Sequence, residues 1–368
     1  MKIEHLDVYH VRMPLVYPFR TACGNLDATD AVLVRMRGQG LESWSEVAPW
    51  ETPSYCHEYA AGTLAIIRDI FGPLLVGKDI TSGDQIQSLL TPFKGNQFAK
   101  AALDLAWWDM YARSRNEPLY KTIGGKSPQV WVGADFGIME TVEALLKEIE
   151  GAVASGFKRV KLKYRPGWEL DMIRAVRRHF PDTVFHVDCN SAYTLADLPM
   201  LKALDEFNLA MIEQPLSHDD LLEHIELRKQ IKTPICLDES VNSVQNCTKA
   251  LKYAACSWIN IKCTRVGGLT NALKIHDLCR QAGVRNWVGG MGESGIGQAF
   301  ALALSTLDNI NYPCDVFPYD RFYAQDLGSP PIVLSGPSQI TASDAPGIGV
   351  APDATLLRRW TVATAAVA

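Results

Sequence analysis

The sequence predicts an α/β protein, a closed (β/α)8 TIM-like barrel with an N-terminal α+β capping domain that the C-terminal segment completes. Three observations predict it. From Val130 onward, eight apolar runs alternate with amphipathic helical stretches. Before about residue 125 the patterning is that of antiparallel strands followed by helices. Finally, Asp188, Glu213 and Asp238 close three successive apolar runs at equal intervals of twenty-five residues, about the length of one strand-loop-helix-loop unit.

The cap is expected over residues 1–125. KIEHLDVYHVRM, DAVLVRMRGQG and ESWSEVAP alternate apolar with polar around a Gly-rich turn and read as three antiparallel strands. Residues 59 to 113 carry helical patterning, clearest in the apolar face of FAKAALDLAWWDMYARS. The barrel is expected over 126–320, with strands in VWVGADFGI, FKRVKLKY, VFHVDCN, LAMIEQP, PICLDES, WINIKC, NWVGGMGES and a weaker CDVFPY. Helices such as TVEALLKEIEGAVASG and LDMIRAVRRHF separate them. An open doubly wound sheet is the alternative, but GADFGIM lacks the Gly-rich phosphate turn of that fold, and the Gly pair in TRVGG reads as a tight βα turn. Residues 321–368 show no further repeat and are expected to pack back on the cap.

Bulk properties narrow the partners. The 368 residues are 47% apolar and 21% charged, with a formal charge of −5. No dense basic run invites nucleic acid or an anionic membrane, so a small molecule is the expected partner. Nine cysteines without C-x-x-C spacing fit a reducing cytoplasm better than a disulfide scaffold. The N-terminus alternates like a strand rather than a signal peptide, and no apolar stretch reaches the ~20 residues of a membrane span.

Each acid by itself could be a helix cap, but equal spacing on three consecutive strands argues for a shared role. Neighbouring strands lie roughly 4.8 Å apart, so the three carboxylates are expected to converge on one hard cation. An all-oxygen set favours Mg²⁺ or Mn²⁺ over Zn²⁺. Cys189 and Cys236 flank the acids and are expected to point away from them as packing residues. The second strand ends in Lys161 and Lys163, an i, i+2 pair aimed at the barrel mouth, and the sixth ends in Lys262. In a ring of eight, strands two and six face each other. The competing reading for Lys161 and Lys163 is a solvated strand end beside Lys158 and Arg159, whereas WINIKC is too apolar to leave Lys262 inside without a partner. A cation flanked by amines suits removal of the proton next to a carboxylate, giving an enediolate. Lys163 is the expected base, its pKa brought from ~10.4 towards ~7–8 by the cation and by Lys161.

The motifs K-x-K, D-x-N, E-Q-P, D-E-S and the strand-six lysine resemble those of the enolase superfamily, muconate-lactonizing subgroup. Within it the chain is similar to the o-succinylbenzoate synthase and N-acylamino acid racemase family, through FRTACG, PSYCHEY, FKGN, GIMET, RVKLKYRPGWE, IEQPL, TPICLDES, GGM-x-E-x-G and DRFY. The resemblance implies that Asp188, Glu213 and Asp238 bind Mg²⁺, that Asn190 and Glu239 support them, and that Lys163 and Lys262 form the acid/base pair. It places Arg265 behind Lys262, the alternative being a surface-loop arginine. It also implies that capping loops bring Phe19, the turn around Cys23 and Gly24, and Tyr55 to the substrate, facing Met291, Gly292 and Glu293 of GGM-x-E-x-G. Three places depart from the family pattern. Asp135 stands where a small neutral residue is expected; its carboxylate would repel an anionic substrate and welcome an ammonium or hydroxyl group. Gly292 replaces a bulkier apolar residue, and Val316 to Tyr319 replace a small, polar stretch.

The resemblance implies dehydration of a cyclohexadiene carboxylate to o-succinylbenzoate on the menaquinone route, or 1,1-proton transfer on N-succinyl and other N-acylamino acids, by one active site. Other dehydration or epimerisation of sugar acids or amino acids, and a non-catalytic binding role, rank lower because all the acids and lysines are present. The expected partners are a small-molecule carboxylate and further copies of the same chain.

Overall fold

The computed structural model describes residues 1–368. Its first part is an antiparallel meander of His5–Thr21, Gly24–Gly38 and Leu41–Val47. A fourth strand, Thr361–Val367, lies beside the first, so that Val8 sits between Val34 and Ala365. Alternation turns Leu6 and Val8 inward. Helix Gln97–Ser114 covers this sheet, and small residues let it come close: Ser43 Oγ and Ser45 Oγ of the third strand donate to the backbone carbonyls of Ala106 and Ala102 at 2.8 and 2.6 Å. The Glu58 carboxylate caps the helix start, accepting from the N–H groups of Gln97 and Phe98 at 2.6 and 2.9 Å.

Seven parallel strands form the second part: Ala134–Phe136, Arg159–Lys163, Val184–Asp188, Ile212–Glu213, Ile235–Leu237, Trp258–Ile261 and Arg285–Val288, neighbours in chain order. The CDVFPY run supplies the eighth stave without becoming a regular strand. Cys314 N–H donates to Trp131 O at 2.9 Å, Gly133 N–H to Cys314 O at 3.0 Å, and Asp315 N–H to Val288 O at 2.9 Å. One extended stretch therefore bonds to both sheet edges and closes the barrel.

Two expectations need correction here. The first apolar run is not one strand. Gln129–Trp131 pairs antiparallel with Gln339–Thr341 outside the barrel, and only Ala134–Phe136 enters it. Gly133 lies at the break, and a Cβ there would fall 2.1 Å from the Arg159 guanidinium carbon. Second, Cys236 does not point away from the acids. It is two residues before Asp238, hence on the same face, and it joins Met211, Trp258, Trp287 and Tyr312 in a buried floor beneath the site. Trp287 Nε1 donates to its sulfur at 3.3 Å. Cys189 packs in the main core instead. No helix is long and apolar enough to cross a membrane.

Candidate active site

Strand ends of the barrel and loops of the cap enclose one cavity, with Phe19 and Tyr55 above and Lys161, Lys163 and Lys262 below. Asp188 and Glu213 end the third and fourth strands in register, and Asp238 follows the fifth. All three are essentially sealed from solvent, at 1%, 0% and 0% exposure. Lys161 Nζ lies 2.9 Å from Asp188 Oδ2 and 3.0 Å from Glu213 Oε2. The Asn260 amide donates to Glu213 Oε1 at 2.7 Å and to Asp238 Oδ2 at 3.0 Å. The carboxylates thus form a continuous row, cross-linked by one ammonium and one amide.

Lys163 closes one end of the row, donating to Asp188 Oδ2 at 2.7 Å, and Lys262 the other, 2.9 Å from Asp238 Oδ2. Each ammonium faces an aromatic ring of the cap: Lys163 lies 5.8 Å from the Phe19 centroid and Lys262 5.0 Å from that of Tyr55. The solvated-strand-end reading does not hold, since Lys161 and Lys163 are 2% and 7% exposed and Arg159 is fully buried.

As they stand the acids do not form a closed cluster of three or more metal ligands; Lys161 and Asn260 lie between them. The residues fit a hard divalent cation: three buried carboxylates stand side by side and share their donors, an all-oxygen set. Charge is distributed unevenly among them. Burial opposes ionisation of Asp188, but Lys161 and Lys163 outweigh it and hold its pKa below the usual carboxylate range. Burial likewise opposes Asp238, with Arg265 and Lys262 prevailing. Burial and then Asp188 push Glu213 well up. Lys163 is held in its charged form by the carboxylate beside it. Burial lowers its pKa, yet the net shift is upward, because the nearest charge is the Asp188 carboxylate.

Supporting groups are placed as follows. Asn190 donates its backbone N–H to Asp188 Oδ1 at 3.0 Å and its amide to Glu239 Oε1 at 3.2 Å; burial and then Asp238 push Glu239 up to about 8. Arg265 is buried rather than a surface-loop residue, and donates to Asp238 Oδ1 and, at 2.5 Å, to Asn260 O. Tyr55 OH donates to Asp238 Oδ1 at 2.8 Å. Met291 lines the cavity, its sulfur 3.5 Å from Lys262 Nζ. Gly292 also lines it, with φ of 78°, a left-handed conformation that glycine adopts without strain. Glu293 does not line the cavity; its carboxylate turns back to accept Met291 N–H at 2.6 Å. Asp135 does, at 5% exposure.

Arg159, Asn260 and Asp315 escaped sequence reasoning. Asp315 sits on the closing stave and takes Lys161 at 3.1 Å and Arg159 at 2.7 Å. A signal existed for two of them: Arg159 is two residues before Lys161, and Asn260 two before Lys262, so alternation aims each inward.

The N-terminal part, residues 3–124, matches the model of the mandelate racemase / muconate lactonizing enzyme N-terminal domain, and residues 144–356 match the enolase C-terminal domain-like model. The chain belongs to the enolase superfamily and is an enzyme of it. It is 41% identical to the o-succinylbenzoate synthase of Geobacillus kaustophilus over 362 residues, which cover 98% of this chain and 96% of that protein. It is equally similar, at 41% over 365 residues and 99% and 98% coverage, to the N-succinylamino acid racemase of Amycolatopsis sp.. The crystal structure of an enolase-superfamily member from Listeria innocua superposes with a TM-score of 0.95 at 35% identity, covering 100% of this chain and 99% of that one.

Proposed function

We propose that the enzyme removes the proton α to a carboxylate, and that its main reaction is dehydration of a cyclohexadiene carboxylate to o-succinylbenzoate. The observation that carries this is the placement of Lys163 and Lys262 at opposite ends of one carboxylate row, both lining the same cavity. Relatives named o-succinylbenzoate synthase support the substrate.

Asp188, Glu213 and Asp238 would hold Mg²⁺, or Mn²⁺ in its place. When bound, the cation withdraws charge from the substrate carboxylate and makes the α-hydrogen more acidic. Lys163 Nζ, once free of Asp188, takes that proton; burial and the nearby Lys161 both favour its neutral form. Lys262, as an ammonium, balances the charge that develops on the opposite side until hydroxide leaves. Asn190, Glu239 and Arg265 keep the carboxylates in place. Phe19, Tyr55, Met291 and Gly292 shape the substrate's surroundings, with Glu293 fixing the Met291 backbone.

The same geometry supports a second reading, racemisation of N-succinyl or other N-acylamino acids, with the two lysines serving alternately as base and acid on opposite faces. The similarity to N-succinylamino acid racemases favours it. The menaquinone route, a cytoplasmic setting and assembly as a homo-oligomer complete the proposal. All nine cysteines are free thiols, which suits a reducing compartment.

The test is a parallel assay of the cyclohexadiene carboxylate and a panel of N-succinyl amino acids, with Mg²⁺ and with EDTA. Activity should vanish on chelation and fall by about 10²- to 10⁴-fold in Lys163→Ala. Full turnover in Lys163→Ala would reject the assignment of the base.

A further inference from the structure

Asp135 has no task in the proton transfer just described. It lies on the first barrel strand, in register with Lys161 of the second. Its backbone carbonyl accepts from the Arg321 guanidinium at 2.5 Å, which pins this strand end. The carboxylate itself has no such anchor. Oδ1 is sealed from solvent without a hydrogen-bond partner. The nearby ammonium groups are engaged elsewhere, Lys161 with Asp188, Glu213 and Asp315, and Lys163 with Asp188. A buried acceptor left unsatisfied is costly, and such groups call for a partner that the protein itself does not supply.

Its position says which part of a ligand could be that partner. In a ring of eight, strand one faces strand five, so Asp135 looks across the cavity towards the Asp238 end of the row. It is also level with Lys161 rather than with Lys163, hence deeper in the barrel than the base. A substrate anchored by its reacting carboxylate on strands three to five meets Asp135 with the part that extends past Lys161 towards strand one. The cavity wall includes Phe317 and Phe322, packed edge to face at 5.2 Å.

We propose that Asp135 is a specificity residue that accepts a hydrogen bond from the part of the substrate lying over strand one, so that among N-acylamino acids the enzyme selects side chains ending in a donor, a hydroxyl or an ammonium. This rests on the proton-abstraction reading above and extends it to a substrate class.

Four N-succinyl amino acids of matched side-chain length separate the possibilities: norleucine, 6-hydroxynorleucine, lysine and 2-aminoadipate. The readout is kcat/KM for exchange of the α-proton with solvent deuterium. In the natural protein the better of the hydroxyl and ammonium substrates should exceed norleucine by about tenfold or more, with aminoadipate the poorest; whichever donor leads identifies its chemistry. In Asp135→Asn and Asp135→Ser the ratio of that donor substrate to norleucine should fall to within about twofold, with folding of both variants checked by thermal unfolding. Aminoadipate as the best substrate, or a donor preference that survives in both variants, overturns the proposal while leaving proton abstraction intact. No exchange on any of the four, together with no dehydration of the cyclohexadiene carboxylate, defeats the underlying reading and this inference with it.

Discussion

Lys161 Nζ stands 3.1 Å from Asp315 Oδ2, across the seam where the barrel closes. Asp315 Oδ1 in turn receives the Arg159 guanidinium at 2.7 Å. The stave with the least regular backbone is thus fastened by buried charge, and the lysine beside the proposed base is held by the same carboxylate.

Asp315→Asn should therefore destabilise the fold by roughly 3 kcal/mol, since it strips a partner from two buried cations. Burial raises the Asp315 pKa, but Lys161 and Arg159 outweigh it and hold the value at about 2, below the ~3.9 of an unfolded aspartate. The native state then gives up this proton first. Its contribution is complete above about pH 4 and is lost as pH falls through about 2. Urea denaturation of wild type and variant should show a stability gap that is constant near neutrality and narrows below pH 4. A gap that widens on acidification would contradict the assignment.

Gly133→Ala should cost about 2 kcal/mol, because the added methyl falls on the Arg159 guanidinium. The urea midpoint reports it directly. An unchanged midpoint would show that Arg159 can move away freely.

Mg²⁺ added to metal-depleted protein should raise the melting temperature by an amount that grows with concentration, equivalent to ~2.7 kcal/mol at a hundredfold excess over Kd. Glu213→Gln removes the charge from the middle carboxylate of the buried row and should abolish most of the rise. Equal shifts in both proteins would place the cation elsewhere.

Lys163→Ala and Lys262→Ala should each lower racemisation of an N-acylamino acid by about 10²- to 10⁴-fold. Each variant should still exchange the α-proton of one enantiomer, and the two should differ in which one. The same enantiomer surviving in both would place the lysines on one face of the substrate.

Much of this was legible from the chain itself. The equal spacing of Asp188, Glu213 and Asp238 locates them correctly because one βα unit has a nearly constant length, and the lysine pair follows from period-two alternation. Asp315 was hidden because its stave is too short and too interrupted to alternate. The splitting of residues 129–136 was hidden because what divides the run is a long-range pairing, of Gln129–Trp131 with Gln339–Thr341. Period-two parity also turns Arg159, Cys236 and Asn260 inward, on the face of Lys161, Asp238 and Lys262. The pKa of Lys163 lay outside its reach, since the direction depends on which charge stands nearest the nitrogen.

Thr361–Val367 completes the cap beside the first strand, and this has a bearing on biosynthesis. A nascent polypeptide could form the meander of residues 5–47 early, but one flank of its opening strand would stay bare until residue 367 clears the ribosome, after every stave of the barrel has been translated. Ribosomes stalled shortly before that point would release chains with a finished barrel and an unprotected strand flank open to pairing with other chains.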